Sequence, residues 1–139
     1  MRSRKLQRAI EFHDTTVAGI TKVGEQVILF LRAYVHQSEG RPGWDAGSGW
    51  VQAAALTFTG AKIEGGKPDL PADIWHGELN LDGNVSANDL PIPFHYVGEI
   101  TLTLQIGAPN DLVVHGTGAT LTMLGEAEYV EEYSGSGNP

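Results

Sequence analysis

The chain contains no cysteine. Disulfides, thiolate metal sites, iron–sulfur clusters and thiol nucleophiles are therefore excluded, and stability rests on packing alone. Long apolar runs are missing too: no stretch approaches the ~20 residues that a membrane-crossing helix needs, and the basic start of the chain is followed by no apolar block of signal-peptide length. This reads as a cytoplasmic protein with no membrane partner. Positive charge is scarce, with 9 Lys and Arg against 17 Asp and Glu. Arg2, Arg4, Lys5 and Arg8 supply four of those cations, so the remainder of the chain is more acidic still and repels nucleic-acid phosphate. Helical periodicity is absent beyond the first dozen residues, and the only expected helix covers residues 5–12.

What is present is strand pattern punctuated by 18 glycines and 7 prolines. In residues 96–106, Tyr96, Gly98, Ile100, Leu102, Leu104 and Ile106 alternate with Val97, Glu99, Thr101, Thr103 and Gln105. That two-residue period marks a half-buried strand. A second run, 112–124, follows after the turn-forming residues 107–111, so the pair reads as a hairpin with one wet face. Residues 26–36 carry bulk on both faces, as a central strand does. Residues 37–49, with Gly40, Pro42, Gly43, Gly47 and Gly49, read as the longest irregular loop. The expected fold is all-β: an antiparallel β-sandwich or flattened barrel of about six to nine strands, with at most one short N-terminal helix. Residues 1–11 are assigned to a basic leader, 12–133 to a single β domain and 134–139 to a disordered tail.

Motifs with local chemistry fail on inspection. Gly65-Gly66-Lys67 lacks the upstream glycine and the following hydroxyl of a phosphate-binding loop, since Ala61 and Pro68 occupy those places. His76-Gly77-Glu78 matches half of a zinc deaminase signature whose cysteines do not exist here. Residues 82–93 space oxygen donors as a calcium loop does, but Ala87 stands where glycine is required and Pro93 where the closing glutamate belongs. No metal and no cofactor is assigned. The catalytic candidates are His76 and Glu78, which share a strand face, together with His13 and Asp14. Asp14 has the alternative structural role of capping a turn.

Two surfaces remain. Glu126, Glu128, Glu131 and Glu132 form an acidic end with Tyr129 and Tyr133, and with Glu99 they make a surface suited to another protein, a basic one by charge. Trp44, Trp50, Trp75 and Tyr96 are the candidates for lining a small-ligand pocket.

Phe12-His13-Asp14-Thr15-Thr16, the strand ending in Gly60-Ala61, the connector Leu90-Pro91-Ile92-Pro93 and the closing Gly125-Glu126 with Tyr129 resemble a group of small bacterial domains of unknown function that begin with a Phe/Leu-His-Asp-Ser/Thr motif. The resemblance implies an immunity-type or accessory protein and supplies no catalytic residues. The leading expectation is thus a non-catalytic macromolecule-binding protein. The alternatives are a small-ligand binder or hydrolase with an aromatic and histidine-lined pocket, and an assembly subunit that pairs through an edge strand. The oligomeric state stays open, a homodimer included.

Overall fold

Alternation of apolar and polar residues dictates the architecture. In the computed structural model, which describes residues 6–65, 68–107 and 111–134, β1 (Gln7–Glu11) runs into a 3-10 turn (Phe12–Asp14). After the turn come β2 (Thr16–Val23), β3 (Gln26–Ser38), β4 (Gly47–Thr59) and β5 (Lys62–Glu64). The short β6 (Ala72–Asp73), β7 (His76–Leu81), β8 (Asn84–Ala87) and β9 (Asp89–Ile92) precede two long strands, β10 (His95–Gln105) and β11 (Asp111–Tyr133). All pair antiparallel in one curled sheet, with the eight-strand order β6-β2-β3-β4-β11-β10-β7-β8. This half-barrel meets the all-β expectation.

The open side of the curl is bridged. β1 pairs with the end of β3, Ile10 opposite Val35, and on its other edge with β9, Ile10 opposite Leu90. β8 and β9 are one extended segment bent at Asn88, whose φ of 61° lies in the left-handed region that asparagine tolerates better than most residues. Asn88 ties both sides of the bend: its N–H donates to the Gly77 carbonyl at 2.8 Å, its carbonyl accepts from Phe12 N–H at 2.8 Å, and its side-chain oxygen accepts from Gly77 N–H at 2.9 Å.

Inward-facing residues fill the interior. Val27, Leu29, Leu31, Ala33 and Val35 of β3 are buried, as are Ala54, Leu56 and Phe58 of β4, Ile100, Leu102 and Leu104 of β10, and Leu112 and Val114 of β11. Each fully buried side chain of this size contributes about 1.5–3 kcal/mol. Phe12 is fully buried among them, and a Cβ on Gly77 would lie 2.8 Å from its ring, so the glycine makes room for it.

Four expectations are corrected. Residues 7–11 are a paired strand rather than part of a leader, because β3 and β9 both offer them free edges. The helix expected over 5–12 is that strand plus the 3-10 turn, among the described residues: the Ile10/Phe12 phase is two, not three to four. The loop is shorter than 37–49, since β3 extends to Ser38 and β4 starts at Gly47, with Gly47 and Gly49 forming strand backbone. The second hairpin strand does not stop at 124 but continues through Gly125 to Tyr133. Arg2, Arg4, Lys5 and most of the 134–139 tail lie outside the described residues.

Candidate functional site

The chain folds so that Phe12 points inward and its neighbours point out. The 3-10 turn is fastened by Thr15, which is buried: its hydroxyl donates to the Glu11 carbonyl at 2.7 Å and accepts from Tyr34 N–H at 3.0 Å, while Thr15 N–H donates to the Phe12 carbonyl at 3.0 Å. Glu11, His13 and Asp14 are thereby presented on the outer surface at one end of the barrel. His13 Nε2 lies 2.8 Å from Glu11 Oε1 and 3.2 Å from Asp14 Oδ2. The second oxygen of Glu11 is in close contact with Nε2 of His36, which is buried. One carboxylate therefore sits between two imidazoles.

His36 belongs to the outward face of β3, and the strand beside it has no side chains to cover it. Gly49 of β4 stands opposite His36 and Gly47 opposite Ser38. Beyond them on β11, Glu131 faces Gly49 and Tyr133 faces Gly47. Across this glycine gap the Tyr133 ring stacks on His36 with centroids 4.6 Å apart and planes at 26°, and Tyr34 meets His36 edge-on at 5.2 Å. Tyr34 and Tyr133 share a hydroxyl–hydroxyl hydrogen bond, and the Tyr34 hydroxyl contacts Glu131 Oε2 at 2.7 Å. A Cβ at Gly49 would collide with the Tyr34 hydroxyl.

The result is a surface cleft of about 340 Å³ lined by Glu11, His13, Asp14, His36, Tyr133 and the 43–45 loop with Trp44. That loop is held by Arg41 N–H donating to Asp45 Oδ2 at 2.5 Å and by the Arg41 guanidinium stacked 4.4 Å over the Trp44 ring. Behind Glu11, Asp89 is its cross-strand partner. Burial, then the like charge of Glu11, raises the Asp89 carboxyl above the ordinary carboxylate range, against the opposing pull of Arg41, His36 and His13. Burial is also the main reason that the Tyr34 hydroxyl is pushed up and that of Tyr133 is pushed up to about 12. Neither phenol is a nucleophile near neutrality. The chemistry on offer is proton exchange at imidazole–carboxylate contacts, or coordination of a cation by nitrogen and oxygen donors.

Of the sequence candidates, His13, Asp14 and Trp44 meet here. His76 and Glu78 form a separate pair, Nε2 to Oε1 3.8 Å, with His76 Nδ1 3.2 Å from the Asn88 amide nitrogen. The other aromatics do not converge: Trp75 is 75% exposed, Trp50 donates to Ser48 Oγ at 2.8 Å and meets Tyr129 edge-on, and Tyr96 stacks on Phe94 and bonds Asp82. The acidic end divides between faces. Glu128 and Glu131 oppose Val51 and Gly49 on the outer side, whereas Tyr129 and Glu132 oppose Trp50 and Ser48 on the other, where the Tyr129 hydroxyl lies 3.1 Å from Glu132 Oε1. Glu126 borders a groove with Arg32 and Gln52, and Glu99 borders another with Lys62 and His115. Glu11 and His36, the centre of the cleft, were not among the candidates. Their signal was present only as an acid and an imidazole each in strand phase with an outer face, which many solvated residues share.

Fold and site together define an all-β half-barrel domain with a histidine–carboxylate cleft on its outer surface. Comparison with protein-family models, with curated proteins and with solved structures gives no match for this chain. No helix among the described residues is long and apolar enough to cross a membrane.

Proposed function

We propose that this domain binds a small polar molecule in the cleft between the 3-10 turn and the end of β11, using Glu11, His13, Asp14 and His36 as proton donors and acceptors and Trp44 and Tyr133 as apolar walls. The observation that carries this reading is the convergence of two imidazoles and two carboxylates, brought from β1, the turn and β3, at the floor of a cleft with aromatic sides. Such a combination of an apolar wall with a few oriented polar groups is what small-ligand sites use. The interior of the barrel is filled by apolar side chains, which supports the outer surface as the place of binding. A hydrolytic role would draw on the same His13–Glu11 contact as general base, acting on water.

A fragment library screened by two-dimensional NMR tests it. Shifts clustered at residues 11–14, 36, 44 and 133, and abolished in Glu11→Gln, are the expected result. Hits scattered over the surface, or undisturbed by that substitution, would remove the reading.

A second reading, binding of a basic protein, is supported by one specific observation. Beyond Leu121, whose N–H donates to the Phe94 carbonyl at 3.0 Å, the edge of β11 facing away from β4 pairs with no strand among the described residues, and the segment carries exposed Glu126, Glu128 and Val130. A basic extended segment added to that edge would gain both main-chain hydrogen bonds and charge pairing. Under this reading Glu126→Gln with Glu128→Gln weakens capture of the partner and leaves the cleft intact.

A further inference from the structure

The geometry points to a divalent transition-metal site in the cleft, with Glu11, His13 and Asp14 as the protein ligands and His36 as the residue that orients Glu11. It deepens the ligand-binding reading and rests on it for the location alone.

One oxygen from each of Glu11 and Asp14 and one ring nitrogen of His13 all lie within 4.8 Å of one another. His13 Nε2 stands 2.8 Å from Glu11 Oε1 and 3.2 Å from Asp14 Oδ2, whereas donors bound tetrahedrally to a common ion at about 2.0–2.2 Å are roughly 3.3–3.6 Å apart, so coordination asks for a small opening of these contacts. His13 and Asp14 have room for it, with side chains 43% and 50% exposed, while Glu11, at 17%, is the fixed member. The fixed ligand is also the one with an outer partner. Glu11 offers Oε1 to the site, and its other oxygen is held by the buried His36 imidazole, which is in turn clamped by the Tyr133 and Tyr34 rings. Ligating carboxylates in metal sites are held by outer hydrogen bonds in this manner.

The charge arrangement favours the same occupant. Glu11, Asp14 and Asp45 line the cleft, and Arg41, a permanent cation of the adjoining loop, is engaged with the Trp44 ring. A divalent ion would neutralise two carboxylates that imidazole alone now bridges. One nitrogen and two oxygen donors suit zinc, manganese, iron or cobalt better than calcium or magnesium, which take oxygen-only shells. Three protein ligands on the floor of an open cleft leave at least one coordination position for water or for a donor atom of the bound molecule.

The test is titration of the full chain, first stripped with chelator, with Zn²⁺ by calorimetry and with Co²⁺ followed by visible absorption. One equivalent bound is expected, together with a cobalt spectrum of nitrogen and oxygen ligation. His13→Ala and Glu11→Gln should abolish it. His36→Ala should weaken it by about 10–100-fold, the range for loss of an outer-shell partner. His76→Ala should have no effect. Folding of each variant is checked by circular dichroism, and Asp14→Asn, at a half-exposed position, serves should the Glu11 variant unfold. Absence of stoichiometric binding, or binding that survives His13→Ala and Asp14→Asn but falls with His76→Ala, overturns the proposal. Fragment binding that persists in chelator while Zn²⁺ fails to bind sinks the metal site and leaves the ligand cleft standing. Loss of both sinks both.

Discussion

At the scale of single residues, the cleft depends on groups that look structural. Thr15 sits between the site and the sheet: its hydroxyl joins the Glu11 carbonyl to the Tyr34 N–H, so the turn bearing His13 and Asp14 keeps its angle to β3. Thr15→Val preserves shape and removes both bonds, leaving a buried donor and acceptor without partners. A loss of about 1–3 kcal/mol of unfolding free energy is expected. Urea denaturation measures it, and a midpoint equal to the parent's would show that water replaces the hydroxyl. The motif Phe12-His13-Asp14-Thr15 was visible in the sequence, and two of its members do reach the cleft. Its division of labour was not visible. Turn capping was the structural alternative for Asp14, yet it is Thr15 that binds the backbone and Asp14 that faces His13. The two side chains are both short oxygen-bearing hydroxyl or carboxyl groups, and only the burial of position 15 separates their roles.

At the scale of elements, β11 is the part least legible in advance. Strict alternation would put Tyr129, Glu131 and Tyr133 on one face. The strand instead carries irregularities between Leu124 and Glu128 and between Tyr129 and Glu131. The second of these inserts one residue and turns Glu131 and Tyr133 to the side opposite Tyr129. A bulge has no two-residue signature, so the Tyr133–His36 stack could not be read from spacing. The contact has a pH signature. Tyr34 and Tyr133 are both raised above the ordinary tyrosine value, first by burial, with Glu131 adding to both and Glu11 to Tyr133. The unfolded chain therefore releases these protons first as pH climbs. The stability they contribute is complete below about pH 10, the unfolded value, and declines as pH rises toward and through the folded value of Tyr133, about 12. All four tyrosines are raised, and alkaline titration followed by tyrosinate absorbance should show the ionisation of Tyr34 and Tyr133 coinciding with release of the end of β11 from His36. In Tyr133→Phe one late step disappears and the alkaline loss of stability becomes shallower. Loss of an ordinary tyrosine step, near pH 10, in place of a late one would mean that the end of β11 is not docked on His36.

At the scale of the whole molecule, the sequence disclosed the class of fold because alternation is local, and withheld closure because closure is not. The alternation of β10 was recognisable from a dozen consecutive residues, and its Ile100, Leu102 and Leu104 are in the core with Tyr96 and Ile106 packed against it. What joins the two ends of the curled sheet is the meeting of β1 with β9, segments separated by most of the chain, through one residue whose neighbours resembled a failed calcium loop. Asn88 carries three bonds of this junction and a left-handed backbone. Asn88→Ala removes the side-chain bonds to Gly77 N–H and to His76 Nδ1 and places an ordinary residue at φ 61°. The two effects together should cost roughly 2–4 kcal/mol. Asn88→Gly separates them, because glycine accepts that backbone freely and loses only the side-chain bonds. Hydrogen exchange gives the decisive reading. If Asn88 closes the barrel, the alanine variant exposes the amides of Phe12 and of β1 and β9 well before those of β3 and β4, and glycine restores part of their protection. Because Glu11 ends β1 and the 3-10 turn follows it, the same opening should loosen the cleft and weaken whatever binds there. Uniform acceleration over the entire sheet would instead mean that the barrel opens as one cooperative unit, with Asn88 contributing to its total stability but not to a separable closure.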